Sequence, residues 1–393
     1  MKIAILTCGM LPIPAVQGGA VENMIDFYLE YNNRKKLHDI TIFSPWDKKV
    51  TQNSALASDV NHYLYIDVTS LKARIARKIY GSLHANEYYN YFIEYYFEKV
   101  YTKLREQDYD VIVLENSPGH TYKLSQRGHK NIVLHLNNDL LNAKSRFHEE
   151  IFNGLSKILT CSDYIRDRVS TIAPDRKVQT LYNAIDVKNF TPKQTNDRST
   201  KRTDLGFATE DFVIVYSGRV NKDKGVSELI DAILLLKDEL PVKLMIIGGT
   251  FYGNAGNEDD FVCTLKDKAK DIQDRIVFTG FVPYVKIPDY LQLADIAVLP
   301  SMWEEPFGLT IVEALAAGLP LITTRSGGIP EICKGVATIV EKDNIVKNLT
   351  TAIMELYKSS KKREIMSSLG LERAKDFDKV IFAQNFFAAL EGL

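Results

Sequence analysis

The sequence has few cysteines and no long apolar run, and both absences exclude whole classes of protein. Its four cysteines are scattered, without a Cys-x-x-Cys pair, so the sequence predicts neither a disulfide framework nor a zinc site. A run of about 18 apolar residues, which would indicate a membrane-spanning helix, does not occur. The apolar start of the chain, MKIAIL, is typical of a first strand rather than of a signal peptide. We therefore expect a cytoplasmic protein.

An excess of either charge is also missing. The chain carries 49 Lys and Arg against 50 Asp and Glu, for a net charge of −1. This balance removes the electrostatic attraction that brings basic proteins to nucleic acid, so we expect no nucleic-acid partner. Because 393 residues exceed one ordinary hydrophobic core, we expect two domains.

Apolar segments of strand length alternate with amphipathic helical segments in both halves of the chain. In the first half the predicted strands are Lys2–Cys8, Asp39–Ser44, His62–Val68, Asp110–Glu115, Asn131–Leu136, Ile158–Cys161 and Val178–Tyr182. In the second half they are Phe212–Ser217, Val242–Gly248, Ile276–Thr279, Asp295–Pro300 and Leu319–Thr324. This alternation predicts an α/β protein with doubly wound parallel sheets.

A polar stretch without an apolar pattern, Thr191–Arg202, separates the two halves and predicts an interdomain linker. We expect a first, acceptor-side domain over residues 1–190 and a second domain over residues 203–377. The last segment, about residues 378–393, predicts an amphipathic helix that packs back on the first domain. The expected architecture is two Rossmann-like domains that face a cleft.

Two loops of the second half bring polar groups to one edge of its predicted sheet. The first loop follows the strand Asp295–Pro300 and contains Glu305. The second follows the strand Leu319–Thr324 and contains the turn Gly327-Gly328. Open α/β folds bind ligands at the carboxyl ends of parallel strands. We expect both loops to offer carboxylates and free N–H groups to a ligand with hydroxyls at both ends and phosphates between.

Glu313 is predicted to lie in the first turn of a helix that begins at Gly308. The start of this helix offers a phosphate the unpaired N–H groups of Gly308, Leu309 and Thr310. The alternative interpretation is that Glu305 and Glu313 are two solvated surface glutamates.

A basic loop follows the first strand of the second half. Arg219 and Lys224, five residues apart, leave the sheet edge together, and Gly218 directly precedes Arg219. A guanidinium fork and an ammonium point charge at that position can hold two sides of a diphosphate. A solvated basic turn is the alternative, but the edge shared with Glu305 favours the diphosphate.

The first half offers less specific candidates. Gly18-Gly19 precedes the first predicted helix, where N–H groups and the helix dipole favour an anion, although no GxGxxG fingerprint supports a dinucleotide. His135 ends a predicted strand and is followed by polar residues, which favours a functional position for a residue type that is more often structural. Asp108-Tyr109-Asp110 precedes its strand and so lies at the wrong edge for a metal site.

Taken in order, these motifs resemble the family-four retaining glycosyltransferases, the glycosyl transferases group 1 of GT-B fold. The resemblance runs along the whole chain through Gly18-Gly19, His135, Gly218-Arg219 with Lys224-Gly225, Glu305-x7-Glu313 and Gly327-Gly328-Ile329-Pro330-Glu331. The Glu-x7-Glu pair within PFGLTIVEALAAGLP is the most specific of these marks. One turn departs from the family pattern, with Ala184 in place of a glycine.

The resemblance implies a retaining hexosyltransferase that uses a nucleotide-sugar donor, expected to be UDP-linked, and needs no metal or other cofactor. Arg219 and Lys224 would bind the donor diphosphate, and Glu313 would bind the ribose. Glu305 would bind the transferred sugar, assisted by backbone groups of Phe307, Gly308 and Leu309. His135 would lie near the sugar, and Gly19 near the diphosphate or the acceptor.

The implied acceptor is a glycan or a lipid-linked molecule in bacterial surface polysaccharide synthesis. The segment Leu71–Arg105 places Lys72, Arg74, Arg77 and Lys78 before a run of aromatic residues that includes Tyr88 and Tyr89. Such a pattern can dock on an anionic membrane, which would make the protein peripheral to the inner face of the plasma membrane. A core-packed helix pair with a solvated basic turn explains the same pattern.

Two other functions remain open at this point. A sugar-nucleotide epimerase can share the two-domain fold, and a coat or assembly protein can keep the fold without turnover. The intact Glu305-x7-Glu313 pair, together with Arg219 and Lys224, favours the transferase.

Overall fold

The computed structural model describes residues 1–83, 91–174, 176–192, 198–249, 260–391 and 393. The chain divides into two compact units. The first unit combines Met1–Asn183 with the C-terminal Lys379–Leu393, and the second spans Ala184–Asp378.

The strands and helices follow one another in the predicted alternation. The strands are β1 (Lys2–Leu6), β2 (Asp39–Pro45), β3 (Asn61–Ile66), β4 (Val111–Glu115), β5 (Ile132–Leu136), β6 (Lys157–Thr160), β7 (Val178–Thr180), β8 (Phe212–Ser217), β9 (Val242–Ile247), β10 (Ile276–Gly280), β11 (Ile296–Leu299), β12 (Leu321–Thr324) and β13 (Thr338–Val340). The helices are α1 (Ala20–Lys35), α2 (Leu71–Leu83), α3 (Tyr91–Leu104), α4 (Pro118–Gln126), α5 (His148–Asn153), α6 (Asp163–Ser170), α7 (Val187–Phe190), α8 (Arg198–Asp204), α9 (Val226–Leu236), α10 (Asp260–Lys268), α11 (Ile287–Leu291), α12 (Leu309–Ala316), α13 (Ile329–Cys333), α14 (Ile345–Lys358), α15 (Ser360–Ala374) and α16 (Lys379–Leu390).

Each unit is built on a parallel sheet. The first sheet has seven strands in the order β3-β2-β1-β4-β5-β6-β7, and the second has six in the order β10-β9-β8-β11-β12-β13. In both sheets the order reverses beside the first strand of the unit, which is the arrangement of a doubly wound Rossmann-like fold. The prediction of two Rossmann-like parallel-sheet domains is confirmed.

Continuous apolar runs form the central strands because both faces of a parallel sheet are covered. In β1, Ile3, Ala4 and Ile5 are fully buried, and in β8 the same holds for Val213 and Val215. These strands therefore show no alternation of apolar and polar residues.

The C-terminal helix α16 packs on α1 within the first unit. Phe386 stacks on Tyr28 with ring centroids 4.1 Å apart, and Phe387 meets the same ring edge-on at 6.2 Å. At the exposed end of this contact, Lys379 Nζ lies 2.9 Å from a carboxylate oxygen of Glu30. Aromatic packing on α1 thus covers the apolar face of α16, as the amphipathic pattern of the last segment predicts.

The basic and aromatic segment Leu71–Arg105 contains two helices, α2 and α3, which pack on each other. The aromatic side chains Tyr96 and Phe97 belong to the core, since each is 2% exposed. Tyr88 and Tyr89 lie outside the described residues. None of the described helices combines the length and the apolar character that a membrane crossing requires.

The polar stretch predicted as a linker, Thr191–Arg202, contains the first residues of helix α8. Arg202 is buried and donates to the carbonyl oxygen of Leu293 at 2.9 Å, and its guanidinium lies 2.8 Å from the carboxylate of Asp295. The linker interpretation is therefore wrong for Arg202, because this charged side chain anchors the end of the stretch to the start of β11. Residues 193–197 lie outside the described part of the chain.

Candidate functional site

Three loops meet at the carboxyl edge of the second sheet. They comprise residues 218–225 after β8, residues 300–308 after β11 and residues 325–328 after β12. The N–H of Met302 donates to the carbonyl oxygen of Asp223 at 2.8 Å, which joins the first loop to the second. The N–H of Gly328 donates to the carbonyl oxygen of Glu305 at 2.8 Å, which joins the second to the third. The backbone thus holds the three loops as one framework, which we call the edge framework.

Two glycines allow the loops to approach so closely. Gly225 has φ +71°, and a Cβ there would lie 2.0 Å from the carbonyl oxygen of Pro300. Gly327 has φ +49°, and a Cβ there would lie 2.2 Å from the carbonyl oxygen of Glu305. Only glycine tolerates both the left-handed backbone and the contact.

Within the edge framework, Lys224 and Glu305 form an ion pair. Their side chains are only 17% and 12% exposed, and Ser301 Oγ donates to the same carboxylate oxygen at 2.9 Å. Lys224 Nζ also lies 5.1 Å from the centre of the Trp303 indole ring. The sequence predicts both residues at this edge but does not predict that they contact each other.

Glu313 lies in the second turn of α12, not in the first as predicted, because α12 begins at Leu309 and no acidic residue occupies its first turn. Its side chain is buried, so it is not a solvated surface glutamate, and it accepts a hydrogen bond from the side chain of Tyr284. Burial raises the pKa of Glu313 to about 7, and the bond from Tyr284 offsets part of this rise.

The start of α12 has unpaired donors, as predicted. Ile311 N–H bonds to the carbonyl oxygen of Gly308 at 3.0 Å, whereas the N–H groups of Leu309 and Thr310 donate to no described residue. Phe307 is buried and meets Phe377 edge-on at 5.7 Å, which fixes the chain just before this helix. Free donors at a helix start carry partial positive charge and suit an anion.

The N–H groups of Gly327 and Gly328, in the turn after β12, are not free. The prediction that this loop offers free N–H groups to a ligand is therefore wrong at these two residues. The N–H of Gly327 bonds to the carboxylate of Glu304, and that of Gly328 bonds to Glu305. Lys342 also donates a hydrogen bond to the Glu304 carboxylate. The bond from Lys342 and, to a smaller extent, the bond from Gly327 lower the pKa of Glu304. The turn therefore positions the glutamate loop and has no donor left for a ligand at these two residues.

Gly218 and Arg219 lie beside the start of α12. A Cβ at Gly218 would lie 3.9 Å from the methyl carbon of Thr310. The hydroxyl of Tyr216 donates to the carbonyl oxygen of Arg219 at 2.6 Å, which fixes the backbone of the loop. The Arg219 side chain is exposed and pairs with none of the described carboxylates. The second unit thus brings together the cations, carboxylates and free N–H groups that the sequence predicts for binding a nucleotide-sugar.

At the start of α1, the place expected for a bound anion holds a carboxylate of the chain itself. A Cβ on Gly19 would lie 2.0 Å from Oε2 of Glu22. Glu22 is buried, and burial raises its pKa to about 7, with further contributions from Glu115 and Asp26. Glu22 was not among the predicted site residues, although an acidic residue three positions after the helix-capping glycine is a recognisable signal. The binding roles of Gly18 and Gly19 remain predictions.

His135 lies in the core of the first unit and is fully buried. Its Nδ1 is 2.8 Å from Glu115 Oε2, and Glu115 Oε1 accepts from the hydroxyl of Tyr28 at 3.0 Å. Phe382 and Phe386 of α16 lie against the ring. A contact between His135 and a sugar finds no support in this geometry and remains a prediction.

The described residues contain no group of three His, Cys, Asp or Glu side chains that could hold a metal ion. A reaction without a metal or other cofactor stays an expectation. Arg219 and Lys224 place positive charge at the edge framework without a metal ion.

Replacement of Glu313 by glutamine is expected to stabilise the protein at pH 8. The raised pKa means that the folded wild type binds more protons than the unfolded chain between about pH 4.5 and pH 7. Its stability therefore falls as the pH rises through that range. Glutamine carries no charge and escapes this penalty, which amounts to about 3 kcal/mol at most. Thermal unfolding midpoints of both proteins between pH 5 and pH 8 measure the difference.

The matched control is Glu304→Gln, for which the sign is opposite. Since the pKa of Glu304 is lowered, its carboxylate stabilises the fold at neutral pH and loses that effect on acidification. Glu304→Gln should lower the midpoint at pH 8 and have less effect at acid pH. A Glu313→Gln midpoint that tracks the wild type at every pH would contradict the buried, proton-binding state of Glu313.

The chain is similar to known glycosyltransferases in sequence and in fold. Residues 197–373 match the family Glycosyl transferases group 1. Spore coat protein SA of Bacillus subtilis (strain 168) is 27% identical over 100% of this chain and 99% of that protein. The lipopolysaccharide 1,2-N-acetylglucosaminetransferase of Salmonella typhimurium is 24% identical over 64% of this chain and 66% of that protein.

Among solved structures, Anabaena Alr3699/HepE in complex with UDP and glucose is similar with a TM-score of 0.74, at 22% identity, over 100% of both chains. At this identity the likeness shows the fold. The family match covers most of the second unit, where the edge framework lies, and the two parallel sheets complete the architecture. Residues 197–373 belong to the group 1 glycosyltransferases, and the chain has the GT-B fold.

Proposed function

We propose that this protein is a retaining hexosyltransferase that moves a sugar from a UDP-linked donor to a glycan or a lipid-linked acceptor. The observation that carries the proposal is the Lys224–Glu305 ion pair, held in the edge framework beside Arg219 and the free donors of α12. The cations suit a diphosphate, and the carboxylates suit the hydroxyl groups of ribose and sugar.

The chemical demand of the reaction is a leaving diphosphate on which negative charge develops. In this proposal Arg219 and Lys224 stabilise that charge, together with the N–H groups of Leu309 and Thr310. Because the backbone already holds these groups in place, little reorganisation is needed during the reaction. Glu305 orients the transferred sugar through its hydroxyl groups, and Glu313 receives the ribose hydroxyls.

Retention of configuration follows in this proposal from attack by the acceptor on the face that the diphosphate leaves. The site carries its positive charge on side chains and helix N–H groups, so the proposal assigns no metal to it. A UDP donor is supported by the UDP and glucose bound in the similar Anabaena structure. A role in bacterial surface polysaccharide synthesis is supported by the similarity to the Salmonella lipopolysaccharide enzyme. The cytoplasm as the place of the reaction is part of the proposal.

A second candidate function is that of a coat or assembly protein without turnover. It is favoured by the similarity to spore coat protein SA, which extends over the whole of both chains. The two functions differ in whether a nucleotide-sugar is consumed.

A donor screen tests the proposal. Unfolding midpoints would be measured with UDP, GDP and ADP and with their hexose conjugates, and each binder would be incubated with a short glycan acceptor. We expect UDP and a UDP-hexose to raise the midpoint and the product anomer to match the donor anomer in proton NMR. If the nucleotide-sugar binds but is not consumed, the result favours the assembly protein. If the product anomer is inverted relative to the donor anomer, the retaining mechanism is excluded but sugar transfer is not.

A further inference from the structure

Helix α2 carries a row of large aliphatic side chains that no part of the described chain covers. The row consists of Leu71, Ile75, Ile79 and Leu83, which are 71%, 54%, 57% and 74% exposed. Residues four apart lie on one side of a helix, so the four form a continuous stripe about 18 Å long. We call this row the α2 stripe.

The opposite side of α2 is already packed. Ala73 and Arg77 are buried on that side, where α2 contacts α3. The stripe is therefore not the core-packing face of α2, because the face that packs on the core lies on the opposite side of the helix. A row of exposed aliphatic side chains on a helix that is otherwise docked marks a surface for another partner.

The charges around the stripe indicate what that partner is. Between Leu71 and Leu83 the helix has four basic residues and no acidic residue, although the whole chain has a net charge of −1. Lys72, Arg74 and Lys78 are exposed and lie next to the stripe. The surface fits a partner with an apolar interior and a negatively charged surface.

We propose that the α2 stripe lies in the interface of an anionic lipid bilayer, with Lys72, Arg74 and Lys78 at the headgroup phosphates. Helix α2 has 13 residues, fewer than the roughly 20 that a membrane crossing requires. It therefore lies in the plane of the interface, with its aliphatic side toward the acyl chains.

A second copy of the chain fits the stripe less well. A two-fold interface would place the same patch of both copies together. Because α2 contains no acidic residue, the cations of the two helices would face one another without a counter-charge. The proposal does not depend on the transfer reaction, since no residue of α2 belongs to the edge framework.

Vesicle flotation tests the proposal on the full chain. Purified protein would be mixed with phosphatidylcholine vesicles, or with the same vesicles containing phosphatidylglycerol. Each mixture would be tested at about 0.1 M and about 1 M salt, between which the Debye length falls from about 10 Å to about 3 Å. We expect recovery with the anionic vesicles at low salt and much less with the zwitterionic ones.

Two variants separate the apolar and the charged contributions. Ile75→Ser with Ile79→Ser should lower the partition coefficient by about tenfold or more, because two aliphatic side chains no longer enter the interface. Arg74→Gln with Lys78→Gln should lower it by about fivefold for each charge at low salt, with little further effect at high salt. Leu235→Ser serves as control, since Leu235 on α9 of the second unit is 60% exposed; it should float as the wild type does.

Unfolding midpoints and light-scattering masses complete the test. All variants should unfold within a few degrees of the wild type, because the substituted side chains are exposed. Equal recovery with both vesicle types, or wild-type recovery of the double serine variant, would overturn the proposal. So would a wild-type dimer that becomes a monomer in the double serine variant, because the stripe would then cover a second copy.

Discussion

Replacement of Lys224 by methionine is expected to lower kcat for sugar transfer by about a thousandfold, the largest loss that we expect from any single substitution. Two losses combine in this variant. The leaving diphosphate loses a fixed cation, and removal of one preorganised charge or donor from an active site typically costs about 10² to 10³ in rate. Glu305, 12% exposed, also loses its counter-ion, which should destabilise the fold by about 2 kcal/mol.

The partner change, Glu305→Gln, removes the charge at the other end of the ion pair. The glutamine keeps the shape of the side chain, so UDP should still bind while transfer falls by a similar factor. Because Lys224 and Glu305 act as one unit, the double variant should be little slower than either single variant. A double variant whose loss equals the product of the two single losses would show that the residues act independently.

A matched control is available in the same unit. Lys268 pairs with Asp231 at 2.7 Å, with side chains 30% and 37% exposed, on helices that carry no site residue. Lys268→Met removes the same charge from an ordinary surface pair, which is worth about 0 to 1 kcal/mol. Its kcat should stay close to that of the wild type; an equal loss in both lysine variants would contradict a special role for Lys224.

Replacement of Gly327 by alanine is expected to be the most damaging change outside the Lys224–Glu305 ion pair, although the residue presents no functional group. The new methyl would meet the backbone of Glu305, with the nearest atom at 2.2 Å. Backbone atoms cannot rotate away as a flexible side chain can, so the loop that carries Glu305 must move. We expect kcat to fall by about a hundredfold, because a misplacement of about 1 Å has that effect on positioned groups.

Gly335→Ala is the control for this substitution. Gly335 has φ +84°, and a Cβ there would have no atom within 4 Å, whereas Gly327 has φ +49° and the clash. Both alanines incur the cost of a left-handed backbone, about 1 to 2 kcal/mol, but only one displaces Glu305. Unfolding midpoints and kcat of the two variants give the comparison, and an equal loss of kcat in both would rule out the displacement of Glu305 as the cause.

The sequence predicts strands β1 to β12 because their signals are local, but it misses the edge strand β13, whose three residues carry too short a pattern. Strand β8 matches the predicted Phe212–Ser217 at both ends, since a buried apolar run bounded by polar residues needs no distant information. The separation of Glu305 in a loop from Glu313 in a helix is also local, because Gly308 marks the helix start between them. The position of Glu313 is one turn too early in the prediction, since Glu313 is the fifth residue of a helix that begins at Leu309 and a turn takes 3.6 residues.

Contacts between distant residues could not be predicted in the same way. Lys224 and Glu305 are 81 positions apart in the chain, and their pairing depends on the hydrogen bonds that join their two loops. His135 is buried by Phe382 and Phe386, which enter the first unit from the far end of the chain. No sequence pattern near His135 indicates that these two phenylalanines cover it. The sequence therefore predicts a functional position for a histidine that the structure buries in the core.

The central claim is that the edge framework of the second unit binds a uridine diphosphate sugar through Arg219 and acts on it through Glu305. Titration calorimetry of UDP into wild type, Arg219→Ala and Glu305→Gln tests it most directly. The account predicts that UDP binds to wild type and Glu305→Gln with similar affinity and about tenfold or more weakly to Arg219→Ala, since a charged hydrogen-bonding group contributes about 1.5 to 3 kcal/mol. Equal affinity in all three proteins, or no binding of UDP to any of them, would contradict it.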